Sequence, residues 1–599
     1  MKKPKIIVNV LNTEYDIVKE VMKKNFRFKL SMEIEGEWDL FWADTGVTNE
    51  MLGRMKKYQK INHYPGMGCL ARKNNLGKNL MRMRKEFPKE YSFFPPTWLL
   101  PYDWKEFKTQ FTEKKCKTFI VKPEALSQGK GIFLTRSWEN INPIEHYVVQ
   151  RYIHKPYLME GLKFDLRIYV LVYGCDPLRI YIFKEGLARL ATDAYVPPVN
   201  TNLTNFFMHL TNYAINKNSD NFVFNADADK ADVGHKRSLT FVWRYVDEHG
   251  GDSKELQEKI RDCIVKTLCA VQPQLADSYR SCQPADDKND KCFEILGFDV
   301  LLDHKLKPWL LEVNHSPSFT TDTPFDVKVK AELLSDTVRI LNMSPLKRVK
   351  FYRQKELDSQ NRRMGKTKGP LVHKFTKEER AERKRKHMEK RDKYELERCG
   401  SYTRIYPDLD DPNKYANFIE RAMKIWEEFF GAKRKQRKSE VLEPPPKPKP
   451  VQRKVFPVAV PKKPAAELPI SQRNISNKSA TIQKQVTEQN ELREQKDQHD
   501  QRELRDPRLT LSSEKPMERR EDNTSSSLRM IQPENVRSEP VHRVPCQSIN
   551  VENSRSSASR YIAPIERPTE HEANVYFPLI SKLPAPFQKM RSKGILIRI

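Results

Sequence analysis

The sequence has no apolar run near the 18 or so residues that a membrane-spanning helix requires. Its nine cysteines are scattered, without a C-x-x-C pair or zinc-finger spacing, which fits a reducing compartment better than a disulfide framework. The start, MKKPKIIVNVLN, is basic and then apolar, but the apolar part is too short for a signal peptide. We therefore expect a soluble, intracellular protein without a membrane partner.

Acidic residues are also fewer than basic residues. The chain has 108 Lys and Arg against 79 Asp and Glu, which gives a formal charge of +29. Such an excess indicates an acidic partner, which could be nucleic acid, an anionic membrane face or an acidic protein. Zinc fingers, RRM-type aromatic motifs and a clear helix-turn-helix are all missing, so we do not expect nucleic acid to be the partner.

At 599 residues the chain is too long for one ordinary domain, and its composition changes along its length. In residues 1–345, runs such as KIIVNVL, TFIVKP and DLRIYVLVYG predict strands, and NNLGKNLMRMRKEF predicts a helix. The strands and helices interleave without a regular βαβ rhythm. This pattern predicts an α+β, or mixed α/β, fold with largely antiparallel strands.

The rest of the chain is strongly polar. Within residues 346–440, FTKEERAERKRKHMEKRDKYELER predicts a solvated basic helix. The following run, YANFIERAMKIWEEFFGAKRKQRK, repeats apolar residues at helical spacing and predicts an amphipathic helix. Residues 441–599 are rich in Pro, Ser, Gln, Asn, Arg and Glu, and we expect them to be disordered because they cannot bury enough apolar surface.

Two acidic residues lie in neighbouring predicted strands, GFDVLL and PWLLEV. A hairpin with its loop at 304–307 would place Leu301 opposite Leu310 and Asp299 opposite Glu312, and opposed residues share a sheet face. Two facing carboxylates repel each other, so a cation between them is the simplest explanation.

Asn314 joins the same face if the second strand continues. Oxygen ligands of this kind suit a hard cation such as Mg²⁺. A solvated sheet edge with incidental acids remains the alternative.

A second cluster, IVKPEALSQGKGIFLTR, places Lys122 at the end of a strand and then Gly129, Lys130 and Gly131 in a loop. A glycine-bearing loop can bring backbone N–H groups close to phosphates, and lysine supplies a mobile charge. The spacing matches neither a Walker A motif nor a Rossmann fingerprint, and alone it also fits a plain hairpin turn. Together the two clusters suggest Mg–ATP held between two sheets.

These residues resemble those of the tubulin–tyrosine-ligase-like family. The motifs KPEALSQGKGIFL, QRYI, KFDLRIYVLV, EGLARLAT, HLTNYAINK and FEILGFDVLLDHKLKPWLLEVNHSPSF occur in the order that the family shows. The stretches KYQKINHYPGM and FFPPTWLLP are similar to the N-terminal region of its polyglutamylase branch. The stretch RCGSYTRIYPDLDDPNKYANFIERAMKIW is similar to that branch's helical microtubule-binding extension.

The resemblance implies an ATP-grasp fold with an N-terminal α/β domain. It places the N-terminal region and the start of the ligase domain at 1–115, and the rest of the ligase domain at 116–345. The basic helical microtubule-binding extension would occupy 346–440, followed by the disordered tail.

The family's site residues carry over to matching positions. The resemblance implies that the nucleotide contacts Lys122, Gln128, Gly129, Lys130 and Gly131 at its phosphates, Gln150, Arg151, Tyr152 and Ile153 beside adenine, and also Lys163, Phe164, Asp165, Thr211 and Asn212. It implies two Mg²⁺ ions on Asp299, Glu312 and Asn314. Free glutamate would be surrounded by Arg189, Tyr213, Ala214 and Lys330, although Ala214 stands where relatives often have serine, so a hydroxyl contact is lost there. Catalytic roles would fall to Lys122, Gln128, Lys130, Arg167, Glu312 and His315.

The implied reaction is ATP-dependent addition of L-glutamate to tubulin tails through an acyl phosphate. Gln128 and His315 would border the acceptor, and in the family this pair accompanies chain elongation. Tubulin glycylation and an inactive microtubule-binding protein are the alternatives. We expect a monomer in the cytoplasm on the cytoskeleton, with cilium, axoneme or basal body as more specific sites.

Two residues also have purely structural readings. Arg167 could be the ion-pair partner of Asp165, although burying two charges in a strand is costly, which favours a functional role. His209 is expected to be a hydrogen-bonded structural histidine.

Overall fold

The computed structural model describes residues 4–112, 116–124, 126, 128–227, 229–230, 232–286, 288–364 and 376–431. The predicted disordered tail and residues 365–375 and 432–440 of the predicted extension lie outside this part of the chain. None of the helices within it is long and apolar enough to span a membrane.

The first sheet is parallel and lies at the N-terminus, where the strand order is β2-β1-β3-β4. Val8 and Val10 of the first strand and all four residues of LFWA in the third are buried, as expected for strands covered on both faces. The four strands are β1 (Ile7–Asn12), β2 (Lys29–Ser31), β3 (Leu40–Ala43) and β4 (Lys60–Ile61). The helical segments are α1 (Asp16–Glu20), a π-helical turn (Val21–Asn25) and α2 (Asn49–Gly53).

The second sheet is small and antiparallel, with the strand order β5-β8-β6-β7. It packs its own aromatic core around Trp98, Phe107 and Phe119. Its strands are β5 (Thr97–Leu99), β6 (Phe119–Pro123), β7 (Phe133–Thr135) and β8 (Tyr147–Arg151). The helices in this part of the chain are α3 (Gly68–Ala71), α4 (Lys73–Glu86) and α5 (Trp104–Thr109).

The third sheet is the centre of the molecule, with seven strands that are all paired antiparallel. The main order is β12-β11-β10-β13-β14, with β9 beside β10 and β15 beside β11. The two longest strands join at Asp176 and Pro177. The strands are β9 (Leu158–Met159), β10 (Leu162–Cys175), β11 (Leu178–Ala194), β12 (Lys236–Ser238), β13 (Glu294–Leu302), β14 (Pro308–Asn314) and β15 (Tyr402–Tyr406).

Helices cover the central sheet and complete its core. The longest of them, α9, buries Leu268, Val271 and Leu275 in the cluster that also contains Val170 and Phe298 of the sheet. The helices are α6 (Phe206–His209), α7 (Tyr213–Asn216), α8 (Leu239–Glu248), α9 (Ser253–Cys282), α10 (Pro324–Ile340), α11 (Pro345–Arg363), α12 (Lys377–Leu396), α13 (Ala416–Trp426) and a π-helical turn (Glu427–Gly431).

The described part of the predicted extension is built into this fold. Strand β15 extends the central sheet, where Phe183 pairs with Tyr402. The expected amphipathic helix is confirmed as α13, which buries Phe418 and Ala422 and places the Phe418 ring 4.9 Å from that of Phe87. The apolar face of α13 is therefore covered by the same chain.

The expectation of a wholly solvated basic helix is wrong for the C-terminal half of α12. Glu395 is 1% exposed and accepts hydrogen bonds from Arg179, Tyr181 and Arg391. Arg391 also donates to the backbone carbonyl of Tyr173 at 2.6 Å. The N-terminal half stays in solvent, as its Arg385 shows with a side chain that is 62% exposed.

This buried ion network predicts unequal roles for two acids of one helix. Glu395→Gln removes the carboxylate that Arg179 and Arg391 share, and breaking a buried pair costs about 3–5 kcal/mol of unfolding free energy. Glu389→Gln, the matched control, removes an exposed pair with Arg385 and should leave the urea midpoint nearly unchanged. Similar urea midpoints for the two variants would contradict the buried network.

Candidate active site

The hairpin of β13 and β14 places Asp299 opposite Glu312, as the sequence predicts, and Asn314 follows on the same face. Nearer the loop the predicted register is wrong by one residue, because Leu301 lies opposite Trp309 rather than Leu310. The shift comes from a β-bulge in β14. Asp299 pairs with Glu312 but Val300 pairs with Leu310, so Leu311 is the extra residue. The bulge brings two successive residues, Leu311 and Glu312, to the same cavity.

The carboxylate of Asp303 fixes this shifted register at the loop. It accepts hydrogen bonds from the backbone N–H of Lys305 at 2.9 Å and of Lys307 at 3.1 Å. It also accepts from Nε1 of Trp309 at 3.0 Å. Asp303 therefore belongs to the turn instead of pairing with Pro308, which is opposite Leu302.

A row of charged side chains crosses one face of the central sheet. Asp165 is paired across strands with Arg189, Arg167 with Asp299, and Asp299 with Glu312. Since residues i and i+2 share a strand face, Asp165 and Arg167 of β10 join the two ends of the row. We refer to these five residues as the charged row.

Asp299 is neutralised from two sides. Nη2 of Arg167 lies 3.0 Å from one carboxylate oxygen of Asp299, and Nη2 of Arg189 lies 2.9 Å from the same oxygen. Burial alone would raise the pKa of Asp299, but the two guanidinium groups outweigh it and hold this pKa below its usual range. The alternative partner proposed for Arg167, Asp165, is bound by Arg189 instead, with Nε at 2.9 Å from Oδ1.

Glu312 has a different environment from Asp299. Among the described residues it forms no ion pair, and its one hydrogen bond is from Nδ2 of Asn314 at 3.4 Å. The same Nδ2 lies 3.3 Å from Oδ2 of Asp299. Glu312 is thus the acid of the row whose charge remains available to a ligand.

Two buried lysines line the same cavity as Glu312. Burial lowers the pKa of Lys122 to about 8 and the pKa of Lys163 to about 7. Nζ of Lys122 donates to Oε1 of Gln150 at 2.7 Å, and Nζ of Lys163 donates to the hydroxyl of Tyr152 at 3.0 Å. An anionic ligand would stabilise the charged form of both lysines.

A cleft between the small sheet and the central sheet collects most of the predicted nucleotide contacts. Its polar lining comes from β6, β8, β10, β11, β13, β14 and the segment after α6. The predicted residues that line it are Lys122, Gln150, Arg151, Tyr152, Ile153, Lys163, Asp165, Arg189, Thr211, Asn212, Asp299 and Glu312.

The predicted phosphate loop lies next to this cleft. Gln128, Gly129 and Gly131 all have positive φ, at 60°, 84° and 67°. A Cβ atom on Gly129 would lie 2.6 Å from Cδ1 of Ile215 and 3.2 Å from Asn212, and the φ of 84° would strain any other residue. Lys130 is exposed.

Some predicted residues do not line the cleft. Phe164 is 1% exposed and lies in the hydrophobic core, because it alternates with Lys163 and Asp165 along β10. A side-chain contact of Phe164 with the nucleotide is therefore ruled out. His315 lines a second, separate cavity with His63.

Tyr213 and Lys330 meet at a buried acid that the sequence did not single out. Asp326 lies 2.7 Å from Nζ of Lys236 and 3.1 Å from Nζ of Lys330. The Lys236 ammonium also lies 4.1 Å from the centre of the Tyr213 ring. The neighbouring Ala214 is half-buried and presents its backbone carbonyl to Asn218.

The cleft also has apolar walls that sequence reasoning missed. Alternation along the strands could have indicated them, since Ile120 is two residues from Lys122 and Leu301 is two residues from Asp299. His209 borders the cleft as a hydrogen-bonded structural residue, with Nδ1 at 2.9 Å from the Tyr152 hydroxyl and Nε2 at 3.1 Å from the Asn202 carbonyl. The missed apolar lining residues are Pro95, Ile120, Ile132, Leu210, Leu301 and Leu311.

The fold and the cleft define a mixed α/β protein with a lysine-rich pocket and a carboxylate row between two antiparallel sheets. The profile described as "Tubulin-tyrosine ligase family" matches residues 51–350, which is half of the chain. The chain belongs to the tubulin–tyrosine ligase family.

Several curated relatives are similar over most of the folded region. A probable beta-tubulin polyglutamylase of Tetrahymena thermophila is 49% identical over 448 residues, covering 74% of this chain and 37% of the relative. Tubulin polyglutamylase TTLL6 of Homo sapiens is 42% identical over 416 residues, covering 69% and 45%. Tubulin polyglutamylase TTLL13 of Mus musculus is 43% identical over 439 residues, covering 73% and 53%. The chain thus spans about half or less of these relatives.

The different environments of two facing acids lead to a stability prediction. Asp299→Asn leaves Arg167 and Arg189 with one carboxylate fewer in a buried row, and should cost about 3 kcal/mol or more of unfolding free energy. Glu312→Gln removes the same charge from a residue without an ion pair, and should change stability by less than about 1 kcal/mol. Urea unfolding of both variants measures the difference, and equal losses would contradict the assignment of the ion pairs.

Proposed function

We propose that this protein is an ATP-dependent ligase that adds glutamate to glutamate side chains in the C-terminal tails of tubulin. Membership of the family and the printed names of its relatives support this activity. The observation that carries the proposal is the cleft itself, which Lys122 and Lys163 line together with Glu312, an acid without an ion pair among the described residues. We infer that these sheets form an ATP-grasp fold that closes on the nucleotide.

The chemistry of the cleft suits a nucleotide triphosphate. Its apolar walls, such as Ile120, Ile132 and Leu301, offer a surface for a base, and the two buried lysines offer charge for phosphates. Because burial disfavours their charged form, Lys122 and Lys163 gain most when an anion enters. The loop at 128–131 would then cover the phosphates with backbone N–H groups.

Mg²⁺ fits the acid end of the cleft. Asp299, Glu312 and Asn314 offer the oxygen donors that this ion prefers, and Glu312 has a charge that no ion pair neutralises among the described residues. In the structure the amide nitrogen of Asn314 faces both carboxylates, so its oxygen would reach the ion after rotation of the amide group. Bound Mg²⁺ would neutralise the phosphate oxygens during transfer and orient them.

The reaction would proceed in two steps. An acceptor carboxylate takes the terminal phosphoryl group of ATP, which gives an acyl phosphate and ADP. The amine of free glutamate then attacks the acyl carbon and loses a proton, and phosphate leaves as the amide bond forms. The chain would supply Lys122, Lys130 and Lys163 to stabilise the transferring charge, with Gln128 and Arg167 beside them.

The incoming glutamate would bind at the far end of the charged row. The bonds from Arg189 to Asp165 and Asp299 use Nε and Nη2, so Nη1 could donate to a substrate carboxylate. Tyr213, Ala214 and Lys330 lie around Asp326 and Lys236, which add a second basic group to this region.

The acidic tails of tubulin suit the basic face of the extension. None of the residues of α11 is fully buried, and the N-terminal half of α12 carries solvent-accessible pairs such as Arg385 with Glu382. Exposed lysines and arginines attract an acidic surface over about 10 Å at moderate salt. A cytoskeletal location follows from this substrate, and the cilium, axoneme or basal body stays an expectation.

Supplying one labelled amino acid at a time tests the proposed reaction. With microtubules and ATP, the protein should incorporate glutamate into tubulin and should not incorporate glycine. Glu312→Gln should fold but lose ligation by orders of magnitude, because it removes the charge that would hold Mg²⁺. Glycine incorporation would make the protein a glycylase. If the protein does not consume ATP in the presence of microtubules, it is an inactive microtubule-binding protein.

The position of the new bond is a finer proposal. Lengthening a side chain uses a carboxylate of an added glutamate, whereas starting one uses the γ-carboxylate of a glutamate in the main chain. We assign Gln128 and His315 to the acceptor, since both can donate to a carboxylate without the fixed charge of an arginine. This choice of residues favours elongation over initiation.

Mass spectrometry of tail peptides distinguishes the two reactions. Peptides that already carry one branch glutamate should gain further glutamates much faster than unmodified peptides, because the acceptor pocket discriminates by shape and hydrogen bonding. Unmodified peptides that are branched as fast or faster would identify an initiating enzyme and overturn the roles given to Gln128 and His315.

A further inference from the structure

A second cavity lies where the β13–β14 hairpin meets the N-terminal parallel sheet. It has a volume of about 20 Å³, which is enough for one water molecule or ion. Its polar lining consists of Asp44, Asn62, His63, His315 and Ser316. None of these residues lines the proposed nucleotide cleft, and only His315 has a proposed role, at the acceptor.

The hydrogen bonds of His63 require a positive charge between two acceptor atoms. Nε2 lies 2.9 Å from the carbonyl oxygen of Ala43, which can only accept, so Nε2 carries a hydrogen. Nδ1 then points its lone pair at Oε1 of Glu294, 2.9 Å away. The other oxygen of Glu294 accepts from the backbone N–H of Tyr64 at 2.9 Å. Either a second proton on His63 or a metal ion must lie between Nδ1 and Oε1.

A third donor converges on the same point. Nδ1 of His315 lies 3.6 Å from Oε1 of Glu294, and the ligand atoms of the three residues all lie within 4.8 Å of one another. At zinc bond lengths, tetrahedral ligand atoms are about 3.3 Å apart, so separations of 2.9 and 3.6 Å bracket that value. We propose that His63, Glu294 and His315 bind a divalent transition-metal ion such as Zn²⁺.

An unsatisfied acid in the cavity wall supports a metal with a bound water. Asp44 Oδ2 accepts from the backbone N–H of Glu14 at 2.7 Å, but its Oδ1 is buried without a hydrogen-bond partner among the described residues. A water on the fourth position of the metal would donate to this oxygen. Two carboxylates, from Asp44 and Glu294, would also balance the charge of a divalent ion, which a single proton does not.

The donor set separates this ion from the Mg²⁺ of the proposed reaction. Two imidazole nitrogens and one carboxylate suit zinc-like metals, whereas the oxygen donors around Glu312 suit Mg²⁺. Ala43 already provides the outer hydrogen bond that orients a metal-bound histidine ring. The metal would occupy Nδ1 of His315, which leaves Nε2 for the acceptor contact proposed above. The metal site therefore does not depend on the proposed ligase activity.

Metal titration of the full-length chain tests the site. Protein stripped with a chelator and held in excess Mg²⁺ should bind one Zn²⁺ tightly, measured against a chromophoric competitor. His315→Ala should weaken binding by more than the roughly 10- to 100-fold that loss of an outer-shell partner costs. This variant should fold because the His315 side chain is 38% exposed. The matched control His249→Gln changes an exposed ring stacked on Tyr245 and should bind like wild type.

Two further measurements identify the residues that bind the metal. Co²⁺ in place of Zn²⁺ should give a tetrahedral spectrum without a thiolate charge-transfer band, since none of the three ligands is a cysteine. His63→Gln should weaken binding like His315→Ala, with unfolding temperature in the absence of metal as its folding check. A thiolate band, equal binding by wild type and His315→Ala, or no bound Zn²⁺ at all would overturn the proposal and leave a proton between His63 and Glu294.

Discussion

The charged row across the central sheet is the interaction on which the site depends. Asp165 and Asp299 are buried, and buried carboxylates require close positive partners. Arg167 and Arg189 provide them only if β10, β11 and β13 keep their observed register. The same register sets Glu312 beside Asp299 at the edge of the cleft, with its charge unpaired among the described residues. Structure and reactivity therefore come from one row of side chains.

The elements around the charged row provide the remaining walls of the cleft. The bulge in β14 turns both Leu311 and Glu312 toward the cleft, which combines an apolar wall with an acid. Opposite this wall, Lys122 and Lys163 are buried by the small sheet and the segment after α6, and burial lowers the pKa of each. Lysines that gain from binding an anion and an acid that gains from binding a cation would suit the metal–phosphate ligand that we propose.

The basic extension shows that surface charge and buried charge can share one helix. The first half of α12 presents its charges to solvent, whereas Arg391 and Glu395 near its end are held against Tyr173, Arg179 and the central sheet. The exposed basic face is thus rigidly connected to the sheet that carries the site. In a ligase acting on a polymer, such a connection would hold the bound surface at a fixed place relative to the cleft.

The sequence by itself determined that Asp299, Glu312 and Asn314 share a sheet face, through strand alternation and hairpin pairing. It also determined which side of α13 is buried, through the helical spacing of apolar residues. Local geometry is enough for such relations, because the residues are close along the chain. The tertiary structure alone decided that Arg167 neutralises Asp299, 132 residues away, and that Arg179 reaches Glu395, 216 residues away. It also decided the bulge and the meeting of His63 with Glu294. Each of these depends on which distant strands become neighbours, and no local pattern encodes that choice.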